Sequence, residues 1–135
     1  LPAAQSRHLL RVLRLRAGAA LTLFNGRGGE YAAELIDAGK SGARLALGTH
    51  LALERESPLR LTLLQGVARG ERMDAIVQKA TELGVQRIVP LCCEFSVVRL
   101  DAANRQRRAE HWRTVAIAAC EQCVRNSIPP VEPVG

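Results

Sequence analysis

The spacing of apolar and polar residues divides the chain into two parts. In residues 7–16 (RHLLRVLRLR), Leu9, Leu10, Val12 and Leu13 lie among Arg7, Arg11, Arg14 and Arg16, predicting a short amphipathic helix with a cationic polar face. ALTLF (20–24) and EYAAELI (30–36), separated by Asn25-Gly26-Arg27-Gly28-Gly29, predict a β-hairpin, and ARLALGTHLAL (43–53) a further strand. Short strands with glycine-rich turns predict a small β-barrel. The charged segment Glu54-Arg55-Glu56-Ser57-Pro58 then breaks the pattern and marks a boundary, placing the domains at 1–56 and 57–135.

Beyond that boundary the pattern is α/β. LRLTLLQGV (59–67) is a nearly unbroken apolar run, as expected of a strand covered on both faces. Met73, Ile76, Val77, Ala80 and Leu83 recur at helical spacing within 71–83, with Gly84 placed to end the helix, and RIVPL (87–91) reads as a second strand. Strand, helix and strand in this order predict a βαβ unit with parallel pairing. Asp101 is a candidate N-cap for a long helix reaching Arg125, with Trp112, Val115, Ala116, Ala119 and Cys123 as its apolar stripe. The next strand of the sheet is expected just where the sequence stops, at Gly135.

Composition narrows the function classes. Of 135 residues, 47% are apolar and 24% charged, which excludes a disordered chain. The net charge of +6 gives a field that favours phosphate-rich partners. No apolar run is long enough to span a bilayer, so no membrane partner is expected. The first residue is Leu1, not methionine, so the chain is expected to be part of a longer product.

Several residues could carry chemistry. The basic segment of Arg7, His8, Arg11, Arg14 and Arg16 suits phosphate contacts, and Arg69, Arg72 and Lys79 extend that track. With few aromatics, recognition is expected to lean on phosphate and shape. Gly26-Arg27-Gly28-Gly29 lies between two strands and reads as a hairpin turn, not a phosphate cradle. Glu121 and Arg125 are spaced for an ion pair on one helix face. Cys92 and Cys93 are adjacent, while Cys120 and Cys123 fall within a helix, so all four read as small apolar side chains in a reducing cytoplasm. An oxidoreductase using Cys120 and Cys123 remains a rival reading, and it requires accessible, reactive thiols. His8, His50 and His111 are scattered, with no metal-ligand spacing.

Three segments together resemble the RsmE family of SPOUT methyltransferases, which methylate N3 of one uridine in small-subunit (16S) ribosomal RNA. They are His8-Leu9-Leu10-Arg11-Val12-Leu13-Arg14 with Asn25-Gly26; Arg69-Gly70-Glu71-Arg72-Met73-Asp74 leading into Gln78-Lys79-Ala80-Thr81-Glu82-Leu83-Gly84-Val85; and Ala118-Ala119-Cys120-Glu121-Gln122-Cys123 with Arg125-Asn126 and Pro129. The resemblance implies a β plus α/β fold: a PUA-like β-barrel for RNA binding, followed by the first half of a SPOUT domain. It also implies S-adenosylmethionine as methyl donor, ribosomal RNA or the small subunit as partner, and a homodimer in the cytoplasm. The family's cofactor loops correspond to residues beyond Gly135, so the 135-residue chain alone is expected to be inactive. Uracil N3 carries a proton that must leave before methylation, which directs attention to Arg125 as a catalytic cation and to Glu121 and Gln122 as positioning groups. Where the family has Glu-Arg, this chain has Glu94-Phe95, with Arg99 nearby as a replacement cation. The alternative of a different class is a non-catalytic RNA-binding module.

Overall fold

The computed structural model describes residues 1–39, 42–94 and 101–135, which fall into two compact units, Leu1–Glu54 and Arg55–Gly135. The division comes two residues ahead of the expected one because Glu56 is bound into the second unit, as described below. Phe95 and Arg99 lie outside the described residues.

In the first unit, α1 (Ala3–Arg7) passes directly into a π-helical turn, His8–Val12. The helix expected over 7–16 therefore starts earlier and stops sooner. The Leu13 amide donates to the His8 carbonyl at 3.0 Å, a wide turn, and Arg14 then sits at φ 54°, where α-helix cannot continue. This departure from helical spacing leaves Leu9 and Leu10 half-buried while Val12 and Leu13 are exposed.

The strands β1 (Ala20–Leu23), β2 (Glu30–Gly39) and β3 (Gly42–Leu51) form an antiparallel sheet in that order. Leu23 faces Tyr31 at the close of the first hairpin, where the Arg27 amide donates to Asn25 Oδ1 at 2.9 Å. Gly29 is required there: φ is +71°, and a Cβ would lie 2.1 Å from His50 Nε2. These three strands make up the described sheet of the first unit, and the Ala46–Leu51 half of β3 is exposed. Leu35, Ala33 and Ala43 are buried. Ser6 fastens α1 to β3, its Oγ accepting from the Ala43 amide at 3.2 Å and donating to the Leu1 carbonyl at 3.1 Å.

The second unit follows the predicted order: β4 (Thr62–Gly66), α2 (Glu71–Glu82), β5 (Arg87–Leu91) and α3 (Ala102–Cys123). β4 and β5 pair in parallel, with Leu63 beside Ile88. The tail continues the sheet along the far edge of β5. The Ile88 amide donates to the Pro130 carbonyl and the Glu132 amide to the Ile88 carbonyl, both at 3.0 Å, and Cys92 donates to Gly135 at 2.8 Å. Pro90 has no N–H to offer between these bonds, and the added ladder is irregular.

The core joins Val67, Met73, Val77, Val85, Ile88, Trp112, Ala116 and Val134. On α2 the buried line is Met73, Val77 and Thr81, not the expected Leu83, which lies at the helix end and is exposed. Burial of Thr81 is possible because its hydroxyl donates to the Val77 carbonyl at 2.8 Å. The run 59–67 is not covered on both faces: Leu63 packs on the core, whereas Leu59, Leu61 and Leu64 are exposed. On α3 the Asp101 side chain caps the Asn104 amide at 2.7 Å as expected, but Cys120 is the fully buried thiol and Cys123 only half-buried.

Candidate functional site

The cationic segment at the chain start is shaped by its backbone. Because the π-turn and the left-handed Arg14 replace regular helix, Arg7, Arg11, Arg14 and Arg16 do not form one helical stripe; all four are exposed, as is His8. None of the four arginines has an ion-pair partner within the chain among the described residues, so their charge is available to an outside anion. Arg7 and Arg11 share a cleft of about 310 Å³ with Leu1, Ser6, Leu10 and Gly42. A guanidinium pair above an apolar floor suits a nucleotide, with phosphate on the cations and carbon surface below.

In the second unit, Arg69 and Arg72 are exposed at the start of α2. Lys79 is exposed two turns further on but is engaged, its Nζ lying 2.7 Å from Glu82 Oε2. That hydrogen bond lowers the Glu82 carboxyl from its ordinary value, against desolvation and with further help from Gln78. Glu121 and Gln122 are exposed on the last turn of α3. The expected Glu121–Arg125 pairing is absent because α3 ends first. Val124 adopts φ 63°, a left-handed conformation that a β-branched residue rarely takes, and turns the chain away.

Arg125 consequently points inward, away from the exposed position expected of a catalytic cation. Its Nε donates to Glu56 Oε1 at 3.1 Å, Nη2 pairs with Glu56 Oε2, and Nη1 donates to the Thr81 and Val85 carbonyls at 2.7 and 3.0 Å. Every guanidinium nitrogen is engaged, and the side chain is 7% exposed. The fork braces the end of α2 and the turn to β5, adding a second donor to the Thr81 carbonyl, which also accepts from the Gly84 amide at 3.0 Å, and a donor to Val85.

Two further residues escaped sequence reading. Glu56 lay in the charged segment that read as a domain boundary. Asp74 accepts from Trp112 Nε1 at 3.1 Å and lies 2.8 Å from His111 Nε2, stitching α2 to α3; an acidic residue one step after a buried Met73 was the available sign.

The thiols do not fit redox chemistry. Cys120 is fully buried, and that burial pushes its thiol up to about 11; its Sγ donates to the Ser127 carbonyl at 3.6 Å and that of Cys123 to the Cys120 carbonyl at 3.9 Å. No cluster of three potential metal ligands occurs among the described residues, and none of their helices is long and apolar enough to cross a membrane.

Comparison with known proteins matches both units. Residues 55–134 match the RNA methyltransferase domain, and residues 1–47 match the RNA methyltransferase PUA domain. The chain belongs to the RNA methyltransferase family. Within that family it is 33% identical over 129 residues to the ribosomal RNA small subunit methyltransferase E of Buchnera aphidicola from Acyrthosiphon pisum, covering 95% of this chain and 51% of that protein. It is 34% identical over 136 residues to the Synechocystis protein of the same name, covering 97% and 41%. The crystal structure of a ribosomal RNA small subunit methyltransferase E from Neisseria gonorrhoeae bound to S-adenosyl methionine superposes with a TM-score of 0.93 at 41% identity, covering 99% of this chain and 55% of that one. The chain spans about half the length of the curated relatives it matches.

Proposed function

We propose that this chain is the RNA-binding and sheet-founding part of an S-adenosylmethionine-dependent methyltransferase acting on N3 of a uridine in small-subunit ribosomal RNA. The observation that carries the reading is the collinear match of both units to proteins named for ribosomal RNA methylation. Exposed Arg7, Arg11, Arg14 and Arg16, which have no ion-pair partner among the described residues, support it independently. In this proposal Arg7, His8, Arg11, Arg14 and Arg16 hold phosphates, and Arg69, Arg72 and Lys79 add to that track. The second unit founds a SPOUT domain, the working enzyme is a cytoplasmic homodimer, and its partner is the small ribosomal subunit.

The described residues do not themselves fit the cofactor. At the carboxyl ends of β4 and β5, where open α/β sheets take ligands, the exposed side chains are Arg69, Cys93 and Glu94, with no aromatic or apolar enclosure for an adenine. The first-unit cleft is lined by cations and offers no carboxylate to a sulfonium. We therefore assign the cofactor pocket to residues other than those described.

What falls to this chain is to hold the RNA and help prepare the base. Uracil N3 becomes nucleophilic when its proton leaves; in this proposal the exposed Glu121 and Gln122 serve as groups that position the base. The test is transfer of labelled methyl from S-adenosylmethionine to small ribosomal subunits by the full-length protein, with the product separated as N3-, C5- or ribose-methylated uridine. Methyl on any atom other than N3, or none on the RNA, overturns the reading.

A further inference from the structure

Residues 51–62 run from the end of β3 to the start of β4, and all but Glu56 are exposed. Glu56 is the second residue of the second unit, and its carboxylate is 15% exposed. Its partner is Arg125, sixty-nine positions later, reached by two parallel N–H to oxygen contacts. The same guanidinium holds the end of α2 through Thr81 and the approach to β5 through Val85. One buried side chain thus joins the incoming tether, the α2–β5 turn and the exit from α3.

We propose that Glu56 and Arg125 form a pin that fixes the point at which the tether from the first unit is fastened to the second, and that Arg125 is a positioning residue acting through Glu56. An apolar side chain at position 56 would seat the tether at many places on an oily surface with little distinction among them. A planar fork accepts a carboxylate in one orientation only. Buried ion pairs often contribute little net stability against apolar replacements, and the best-attested reason to retain one is that it fixes register. Here the register is that of the tether, and the strand after it starts only at Thr62.

The test is limited trypsin digestion of the 135-residue chain with Arg125→Lys, which keeps the charge but removes the fork. Cleavage after Arg55 reports release of the tether, and cleavage after Arg87, within β5, reports opening of the second unit as a whole. The pin predicts that cleavage after Arg55 rises on the order of tenfold while cleavage after Arg87 changes less than about twofold, since proteolysis follows the population of the open form. Equal acceleration at both sites means that Arg125 only stabilises the unit, and no change after Arg55 means that the tether is fastened elsewhere; either result overturns the proposal. Should Arg125→Lys fail to fold, Glu56→Gln serves, read after Arg60 where the cleaved bond is unaltered.

The consequence for turnover rests on the proposed methyltransferase reading. In the full-length enzyme Glu56→Gln should raise KM for ribosomal subunits and leave KM for S-adenosylmethionine unchanged. A full-length protein without methyl transfer would sink the functional reading while the digestion still judged the pin. An active enzyme in which both KM values move together would sink the pin.

Discussion

Replacing Arg11 and Arg14 together by alanine tests whether the first unit meets RNA through its phosphates. Both side chains are exposed and without an ion-pair partner among the described residues, so each can displace condensed counterions when it meets a phosphate. On single-stranded RNA each such contact contributes about 0.7 to the slope of log affinity against log salt, so removing two lowers the slope by about 1.4. Between about 50 and 200 mM salt, a fourfold change, that difference amounts to roughly a sevenfold change in the ratio of the two affinities. The variant should therefore bind weakly at low salt and draw about sevenfold closer to wild type at the upper end. Fluorescence anisotropy with a labelled RNA oligonucleotide, titrated at four salt concentrations, measures this directly. Arg44→Ala is the control: it removes an exposed arginine already facing Asp37 at 3.3 Å and should leave the slope unchanged. If Arg11→Ala/Arg14→Ala shows the wild-type slope, the basic segment is not in the interface, whatever the loss of affinity.

Trp112→Phe should cost about 1–3 kcal/mol in urea unfolding followed by circular dichroism, because the indole N–H to Asp74 is lost beneath a side chain only 1% exposed. Val124→Gly should raise stability by roughly 0.5–1 kcal/mol, since relief of a left-handed β-branched residue outweighs glycine's unfolded-state entropy at an exposed site; a lower midpoint would contradict it. Cys120 should resist iodoacetamide at pH 8 in the folded protein and label only as pH approaches about 11. Its unfolded thiol ionises near 9.0, so the folded state should lose stability as pH rises through that value toward about 11, which urea midpoints across that range would register.

Much of the fold was legible because local rules and tertiary packing agreed. β5 occupies the predicted residues 87–91, α2 runs from Glu71 as read, and Asp101 caps α3. The misreadings arose where long-range partners decide. Thr81 is not among the stripe residues read at helical spacing, yet it is buried because its hydroxyl bonds within the helix, and its carbonyl receives Arg125. Glu121 and Arg125 had the spacing of a helical ion pair, but Val124 ends the helix without the glycine that usually signals such a turn. Glu56, in a stretch of charge and proline, carried no local mark of burial, because its partner lies at the other end of the unit. The basic segment was read correctly as exposed charge, whereas its π-turn leaves no compositional trace.

Strand β5 lies between β4 and the returning tail, so among the described residues the outer edge of β4 carries backbone donors and acceptors that no neighbouring strand takes up. Leu64 is 66% exposed on that strand, and Leu61 stands just before it. A parallel sheet that gathers order from one side while the other stays open is a template for another strand, whether from the same polypeptide or from a neighbour in solution. The solubility of the 135-residue chain should accordingly depend on concentration more steeply than its net charge suggests. A lysine in place of Leu64 is the substitution most suited to keeping it monodisperse, because it charges the open edge without touching the packed face that Leu63 occupies.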